Sequence, residues 1–390
     1  MMRCIIVVVF LLSSNLLFSD DSVSVRIFSA KVINTFIFSP AEGSYHIYGD
    51  GSLVASCDAS GIFQMNIDKD SIHLKTFEND IGRYVSIKII SITSPSAFKI
   101  KCVAPISTVR VYDDDLQIAL TADKSQFMLM NRVGLESYIA GVVQSESGKS
   151  NNLEYYKLQT ILCRTYLLAQ LNRHINEGFG VCDDVHCQAY LSRATEKNIK
   201  NAVESTKGLV IVDNNLNLIT AAFHSNCGGQ TCNSEDVWAI STTYLKTVND
   251  AFCSQKVHSV WEKSISYDEW KAYLKSKGKR DVDTTIDKTH GTSIILKGNN
   301  RAINYVDGNF KIPLKTIRAD FKLKSAFFAI EQKGNDIVFE GRGYGHGVGL
   351  CQEGAMEMSK AKYSYLDILH YYYKDVSVVD LRALNYFKQE

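Results

Sequence analysis

The segment GRGYGHGVGLCQEGA at residues 341–355 has six glycines in fifteen positions. Glycine is favoured where the backbone takes a positive φ or closely approaches another group. A flexible linker would lack the embedded Tyr, His and Val, and a phosphate loop would need a Lys-Ser/Thr pair after the glycines. We therefore interpret this glycine-rich segment as a shaped turn that presents a few side chains, namely Arg342, Tyr344, His346, Gln352 and Glu353.

A second candidate is Glu146, in the stretch LESYIAGVVQSESGKS at residues 135–150. The small residues around it predict a turn just before a long helix. A carboxyl group at the edge of an apolar wall has its pKa raised by desolvation, which is the condition for a general acid near neutral pH. Most carboxylates in turns are simply solvated, so the residues alone leave both interpretations open.

Arg164 and Tyr166 lie in CRTYLL, on the apolar face of the predicted long helix. A buried arginine needs a partner, because an uncompensated buried charge is costly. Arg164 therefore either pairs with a nearby carboxylate, which is the ordinary structural arrangement, or faces a site.

Two histidines and two cysteines fall within fourteen residues: His174, Cys182, His186 and Cys187. Thiolate and imidazole ligands suit zinc, and a set of four is typical of a closed structural site. The spacing is not that of a standard zinc finger. A Cys182–Cys187 disulfide with ordinary surface histidines is the alternative in an exported protein.

The stretch FHSNCGGQTC at residues 223–232 also carries reactive types. His224 and Ser225 are adjacent on a predicted strand and point to opposite faces, so they do not form a nucleophile and base pair easily. A cysteine nucleophile acting with His346 is a further option. The less reactive alternative is a disulfide among Cys227, Cys232 and Cys253.

These residues must be positioned by two kinds of element. Alternating and β-branched stretches dominate residues 23–130, with a hairpin signal at Gly49-Asp50-Gly51. The pattern changes at Asn151, where apolar spacing predicts a helix over 152–173 with Asn151 and Glu154 as a capping pair.

The rest of the chain mixes helices and strands. The pattern predicts a helix over 195–206 that Gly208 closes, and then a hairpin around Asp213–Asn215. A short helix near 267–277 is followed by the strands TSIIL, AINYV and DIVFE, and residues 352–373 predict two short helices.

Composition narrows the function class. The 390 residues favour two or more domains. With 43 basic and 42 acidic residues, the balanced charge argues against a nucleic-acid partner or an anionic membrane surface.

Residues 1–19 predict a secretory signal peptide, with an uncleaved N-terminal anchor as the alternative. No other membrane segment is expected. Of the ten cysteines, Cys4 lies in this apolar run, and the remaining nine invite disulfides or metal binding in an exported protein.

Four blocks in order resemble the stage II sporulation protein D family (SpoIID/LytB), which includes lytic transglycosylases and amidase enhancers. The blocks are LESYIAGVVQSE, LQTILCRTYLL, AFHSNCGGQT with DVW, and GRGYGHGVGLCQEGA with ILHYYY. The resemblance implies an α+β fold, with a β-rich N-terminal region over 20–105 and a mixed helix and strand catalytic region over 106–385. The glycine-rich loop would line a groove in the catalytic region.

The resemblance also implies site residues and a reaction. Glu146 becomes the catalytic acid/base for cleaving the MurNAc–GlcNAc β-1,4 bond of peptidoglycan with 1,6-anhydroMurNAc formation. The His/Cys set matches the structural zinc site of some members, and the chemistry itself needs no cofactor. Substrate-binding residues would be Arg164, His224, Ser225, Tyr344, His346 and Gln352.

Departures and alternatives remain. Phe223 stands where the family often has Tyr, and Tyr344 where it often has Trp, so glycan preference is less certain than reaction type. We expect an exported protein, periplasmic or cell-wall associated. The first alternative to the enzyme is a non-catalytic module that binds the cell wall and stimulates an amidase. The second is a cysteine peptidase built on Cys227 or Cys351 with His346.

Overall fold

A computed structural model describes residues 22–387, apart from positions 150, 239, 255, 257, 280–291 and 297–300. The predicted signal peptide at 1–19 lies outside the described residues. Within the part of the chain that is described, none of the helices has the length and apolar character needed to cross a bilayer.

The strands follow one another along the chain. They are β1 (Ser22–Ile27), β2 (Thr35–Glu42), β3 (Tyr45–Gly49), β4 (Ser52–Cys57), β5 (Phe63–Asp68), β6 (Ser71–Lys75), β7 (Asp80–Tyr84), β8 (Ile87–Ser91), β9 (Ala97–Ala104), β10 (Arg110–Asp113), β11 (Asp115–Leu120), β12 (Phe127–Gly134), β13 (Val181–Cys182), β14 (Leu209–Asp213), β15 (Phe223–His224), β16 (Val260–Ser266), β17 (Thr292–Leu296), β18 (Asn304–Asp307), β19 (Phe310–Pro313), β20 (Phe328–Lys333), β21 (Asp336–Arg342), β22 (Leu350–Cys351) and β23 (Val376–Asp380).

The helices lie mainly in the second half. They are α1 (Leu135–Ser147), α2 (Leu153–Gln170), α3 (Lys197–Ser205), α4 (Ser234–Trp238), α5 (Tyr267–Ser276), α6 (Leu314–Asp320), α7 (Gln352–Lys360), α8 (Tyr365–Tyr372) and α9 (Leu381–Phe387), with a 3₁₀ turn at Ile175–Glu177. The predicted α+β class is confirmed, with strands concentrated before α1.

Two sheets form the β-rich part. The first has the order β13-β1-β12-β11-β8-β3-β4, and the second has the order β10-β9-β2-β5-β6-β7. Alternate residues of β1, such as Val23 and Val25, are buried, as expected for strands with one face on the core. The Gly49-Asp50-Gly51 hairpin joins β3 to β4 as predicted.

The strand-rich part extends beyond the predicted boundary at residue 105. Strand β10 pairs with β9 in one sheet, and β11 and β12 pair with each other and with β8 and β1 in the other sheet. The boundary at 105 therefore divides strands that share sheets. Because β12 ends at Gly134 and α1 begins at Leu135, the sheet fixes the start of α1.

Helix α2 begins near its predicted start, with a cap shifted by one residue. The Asn152 side chain, not Asn151, accepts a hydrogen bond of 2.9 Å from the Glu154 backbone N–H. The helix ends at Gln170, three residues before the predicted end. Burial extends over much of its surface, with Leu158, Leu162 and Leu167 all inaccessible to solvent, which explains the strong apolar pattern.

The predicted hairpin around Asp213–Asn215 is present but short, and its first strand pairs mainly with a distant one. Strand β14 pairs with β23, more than 160 residues away, over five residues from Leu209↔Asp380 to Asp213↔Val376. The following segment is joined to β14 by the bridge Val212↔Leu218 and by backbone hydrogen bonds from Asp213 to Asn217 and from Ile219 to Ile211. The sequence window could not show that the long-range partner offers the longer antiparallel ladder.

A smaller core lies towards the C-terminal half. The sheet β16-β21-β20-β17 packs with α5 and α6 around Trp270, Ile330 and Phe339. Strand β21 ends at Arg342, so the glycine-rich segment runs from this sheet into the main core. The predicted helices over 352–373 are confirmed as α7 and α8.

Candidate functional site

Glu146 lies in the last turn of α1, not in the turn that the sequence predicted. Helix α1 runs through Ser147 and is capped by Gly148, whose φ is 67°. The small residues that follow Glu146 therefore end a helix instead of surrounding the carboxylate. The helix holds Glu146 at a fixed position on a rigid element.

The Glu146 carboxyl group is half-buried, and its hydrogen-bond partner among the described residues is the Ala189 backbone N–H, which donates to Oε1 at 2.8 Å. Desolvation by burial raises the pKa of Glu146, and the hydrogen bond from Ala189 partly opposes this. Among the described residues, no Lys, Arg or His forms an ion pair with it. A carboxyl group in such surroundings favours its protonated form at higher pH than usual.

The glycine-rich segment reaches Glu146 through Gln352, the first residue of α7. The Gln352 side chain is buried, and its Nε2 donates to the backbone carbonyl of Glu146 at 3.4 Å. Sequence positions more than 200 apart are thus brought together at the end of α1. The contact joins the segment to the Glu146 backbone, while the carboxylate itself is bound by Ala189.

Gln188 is a residue of this region that the sequence analysis did not single out. Its side chain is buried, and neither amide atom has a hydrogen-bond partner among the described residues. It immediately precedes Ala189, which holds the Glu146 carboxyl group. No motif signalled it, because a single glutamine in a loop has no distinctive spacing.

Arg164 is fully buried and does not reach the surface. Its guanidinium group donates to both carboxylate oxygens of Glu136, at 3.1 and 2.6 Å, and also to the carbonyl oxygens of Thr206 and Leu209. These contacts join α1, α2 and the end of α3. The arginine has the structural pairing that the sequence analysis described as the ordinary arrangement, so any effect on a ligand is indirect.

His346 holds the glycine-rich segment against β15. Its Nδ1 accepts a hydrogen bond from the Val348 N–H at 3.1 Å, and its Nε2 lies 2.9 Å from the Phe223 carbonyl oxygen. This pattern requires the neutral ring with the proton on Nε2. Burial is the main reason that the pKa of His346 is lowered to about 4.

His224 is also buried, and its Nδ1 lies 3.1 Å from the Val348 carbonyl oxygen. The ring is neutral because burial lowers its pKa well below the usual value. Its Nε2 is buried without a partner among the described atoms. Both predicted histidines therefore belong to the wall beneath the segment rather than to its open surface.

Tyr344 and Ser225 lie closer to solvent. The Tyr344 ring is 43 % exposed and stacks on His258 with ring centroids 5.3 Å apart. Ser225 is half-buried, and its carbonyl oxygen accepts a hydrogen bond from the Glu353 N–H. Tyr344 presents an open aromatic face that suits a sugar ring.

Asn226 links the rim to α7. It exchanges backbone hydrogen bonds with Tyr344, and its side chain donates to Glu353 Oε2 at 2.6 Å. The other Glu353 oxygen lies 2.5 Å from His258 Nδ1. This chain of contacts fixes Tyr344 relative to Gln352 and thus to Glu146.

Close backbone approach explains the glycines. Gly349 has a φ of +71°, and a Cβ there would overlap the Ala222 carbonyl oxygen. Gly343 has a φ of +76°, and a Cβ there would overlap the Asn226 carbonyl oxygen. The segment packs backbone to backbone on the strand that carries His224, which no other residue type permits.

The four residues of the His/Cys cluster (His174, Cys182, His186 and Cys187) come together. One ligand atom from each lies within 4.8 Å of all the others, and His174 Nε2 is 3.5 Å from Cys187 Sγ. Glu177 Oε1 lies 2.6 Å from His174 Nδ1, and this contact orients Nε2 towards the thiols, as carboxylates that bind the far nitrogen of a ligating histidine do in metal sites. The donor set fits a tetrahedral zinc ion, and the described cysteines form no disulfide.

A cavity of about 350 Å³ lies at the opposite end of α1. Its lining includes Glu136, Asp113, Arg193 and Lys200, but not Glu146. The hydrogen-bonded segments converge instead at the Glu146 end of α1, where the candidate site lies.

The stretch that carries this site is similar to a known protein family. Residues 123–212 match the family model described as SpoIID, Stage II sporulation protein. This stretch contains α1 with Glu146, α2 with Arg164, and the His/Cys cluster. The resemblance that the four sequence blocks indicated is confirmed by this match and by relatives named Stage II sporulation protein D.

Individual relatives extend the match. Stage II sporulation protein D of Bacillus subtilis is 29% identical over 299 residues, covering 71% of this chain and 82% of the relative. A protein of Brachyspira hyodysenteriae is 28% identical over 265 residues, with 66% and 70% covered. The amidase enhancer of Bacillus subtilis is 27% identical over 283 residues, covering 60% of this chain and 39% of the enhancer.

Proposed function

We propose that this protein is an exported lytic transglycosylase that cleaves the MurNAc–GlcNAc β-1,4 bond of peptidoglycan glycan strands. The observation that supports this most directly is the environment of Glu146. Its carboxyl group is half-buried with a raised pKa, it has no cationic partner among the described residues, and it adjoins the glycine-rich segment through Gln352.

Glu146 would act twice in the reaction. As the neutral acid it protonates the glycosidic oxygen that leaves with GlcNAc. As the carboxylate it then accepts the proton of the muramyl C6 hydroxyl, whose oxygen attacks C1 and closes the 1,6-anhydro ring. Because the nucleophile belongs to the substrate, one carboxyl group suffices where hydrolases generally use two.

The surrounding residues would bind and orient the glycan. Tyr344 offers a stacking face, while Gln352 and Ser225 lie on the segments that meet at Glu146. His224 and His346 keep the wall beneath these segments in place as neutral rings. Arg164 would contribute by fixing α1 against α2 and not by touching sugar.

A structural zinc ion in the His/Cys cluster fits this scheme. The ligands would be His174, Cys182, His186 and Cys187, and the ion would supply a cross-link without taking part in bond cleavage. Cys187 lies two residues before Ala189, whose N–H holds the Glu146 carboxyl group. A fixed cluster would therefore fix that N–H.

The test is to incubate the purified chain, without residues 1–19, with purified peptidoglycan and identify the released sugars by mass spectrometry. We expect 1,6-anhydro ends, and we expect the Glu146→Gln variant to release none above background. Reducing ends in place of anhydro ends would indicate hydrolysis. Release that Glu146→Gln leaves unchanged would refute the assignment of the acid. Glycan with and without stem peptides should be compared, because the required substrate form is a separate variable.

A second candidate function is stimulation of a cell-wall amidase by a wall-binding protein. The similarity to the amidase enhancer of Bacillus subtilis favours it. In this case Glu146→Gln would retain full stimulation of amidase activity on the same peptidoglycan, and no anhydro ends would form. The same pair of proteins therefore separates the two functions.

A further inference from the structure

A second group of metal-ligating side chains lies under the glycine-rich segment. It consists of Cys227, Asp250, Cys253 and Cys351, and we name it the buried thiol cluster. One ligand atom from each residue lies within 4.8 Å of all the others, and all four residues are buried. We infer that this cluster is a second, structural metal site that takes a thiophilic divalent ion, with zinc as the ion that fits best.

The distances suit a tetrahedral ion. Zinc–sulfur bonds of about 2.3 Å place two thiolates about 3.8 Å apart in a tetrahedral site. Cys227 Sγ lies 3.4 Å from Cys253 Sγ and 3.3 Å from Asp250 Oδ2. The atoms therefore surround a space of the right size, and small adjustments complete the coordination.

The carboxylate is the strongest reason to prefer a metal over a disulfide. Asp250 is 1 % exposed, and no Lys, Arg or His among the described residues forms an ion pair with it. An uncompensated buried carboxylate is costly, and a coordinated cation removes that cost. A Cys227–Cys253 disulfide would leave the carboxylate without such compensation.

The ligands are already oriented by surrounding groups, as in built metal sites. The Tyr372 hydroxyl donates to Asp250 Oδ2 at 2.8 Å, and the Phe252 N–H donates to Oδ1 at 2.8 Å. The Cys227 N–H donates to Cys351 Sγ at 3.3 Å, a contact that stabilises a thiolate. Binding releases the thiol protons to solvent, and no oxidation is involved.

Close packing of α7 completes the enclosure. A Cβ on Gly354 would overlap the Tyr372 hydroxyl and Asp250 Oδ2. Nearby, the Arg301 guanidinium donates to the Cys227 carbonyl oxygen at 2.7 Å, and its positive charge partly offsets the negative charge of three thiolates and a carboxylate. The ion would join the segment after β15, the loop at 250–253 and the start of α7.

This site is distinct from the His/Cys cluster, because the two sets share no residue. It lies next to the candidate site, since Cys351 immediately precedes Gln352. A metal here would cross-link the glycine-rich segment, and the inference holds whether the protein cleaves glycan or stimulates an amidase.

The test measures bound metal in the full mature chain purified without chelators. We expect the Cys182→Ser/Cys187→Ser double variant, which disables the His/Cys cluster, to retain about one zinc ion per chain. Adding Cys253→Ser or Cys351→Ser should remove that ion. Cys163→Ser is the matched control, because Cys163 is buried but belongs to neither cluster, and it should leave the metal content unchanged.

A spectroscopic measurement covers the case in which the Cys182→Ser/Cys187→Ser background does not fold, because it leaves the His/Cys cluster intact. Cobalt(II) loaded into the intact chain should show thiolate-to-metal charge-transfer absorption that weakens in Cys351→Ser and shifts in Asp250→Asn, the conservative replacement. The inference is overturned if the double variant is folded and metal-free. It is also overturned if alkylation under denaturing conditions finds Cys227 joined to Cys253 in the metal-free native protein, or if neither cluster variant changes the cobalt spectrum.

Discussion

The two ends of α1 carry the same kind of side chain in opposite electrostatic environments. Glu136, in the first turn, forms a two-pronged ion pair with the fully buried Arg164. Glu146, in the last turn, has a backbone N–H as its recorded partner and a raised pKa. The same residue type can therefore serve different purposes, because burial and neighbouring charges set its surroundings.

The comparison of Glu136 with Glu146 predicts its largest effect on the rate of glycan cleavage. Replacing Glu146 by Gln should lower the rate of anhydro-sugar release by at least about 10²–10⁴-fold, the contribution expected of a general acid/base, while the fold is retained. Release of anhydro ends from peptidoglycan measures the rate. Glu136→Gln is the matched control, and a comparable loss of rate per folded molecule in that variant would break the comparison.

The second prediction concerns the neutral histidine beneath the Glu146 end. His346 has a folded-state pKa of about 4 against 6.5 in the unfolded chain. The stability that the neutral ring contributes to the folded state is therefore present above pH 6.5. As the pH falls from 6.5 to about 4, the free energy of unfolding decreases by about 3 kcal/mol in all. Urea unfolding across this range should show the loss, and His346→Gln should flatten the slope. An unchanged slope would indicate that other groups control acid stability.

The third prediction concerns the ion-paired end. Glu136→Gln leaves the Arg164 charge buried without its carboxylate, so the free energy of unfolding should fall by about 2 kcal/mol. We place the loss below the range for fully buried pairs, because the Glu136 side chain is 25 % exposed and solvent screens part of the interaction. Urea unfolding at neutral pH measures it. Stability equal to that of the parent chain would mean that the pair contributes little.

The smallest expected effect is a stability gain at the Glu146 end of α1. Because the folded-state pKa of Glu146 is raised, the stability that it contributes is present at low pH and is lost as the pH rises through the folded-state pKa. Gln carries no charge, so Glu146→Gln should slightly increase the free energy of unfolding at pH 7 and leave it nearly unchanged at pH 4. Paired unfolding curves at the two pH values test this, and a decrease at pH 7 would contradict it.

Local patterns predicted what is locally encoded. Apolar spacing and a cap predict helix α2, and four potential ligands in a short stretch predict the His/Cys cluster. The sequence also indicates Glu146 as a candidate, but it predicts the wrong type of element there. The small residues after Glu146 are typical of a turn, whereas Gly148 ends a helix.

The sequence patterns could not predict which distant segments of the chain come into contact. The buried thiol cluster draws on positions 227 and 351, which no local spacing connects, so its cysteines suggested disulfides. The same limit applies to β14, whose partner β23 lies near the C-terminus, and to the pairing of Arg164 with Glu136. Each depends on which distant surfaces the fold brings into contact.

The backbone packing of Gly343 and Gly349 limits how this protein can diversify. Neither position accepts a side chain without displacing a carbonyl of the neighbouring segment, so mutations there cannot tune ligand preference. Variation is confined to the residues between them whose side chains project outwards, above all Tyr344. Directed evolution of altered wall specificity should therefore randomise this aromatic position and its stacking neighbour His258, and leave the glycine framework intact.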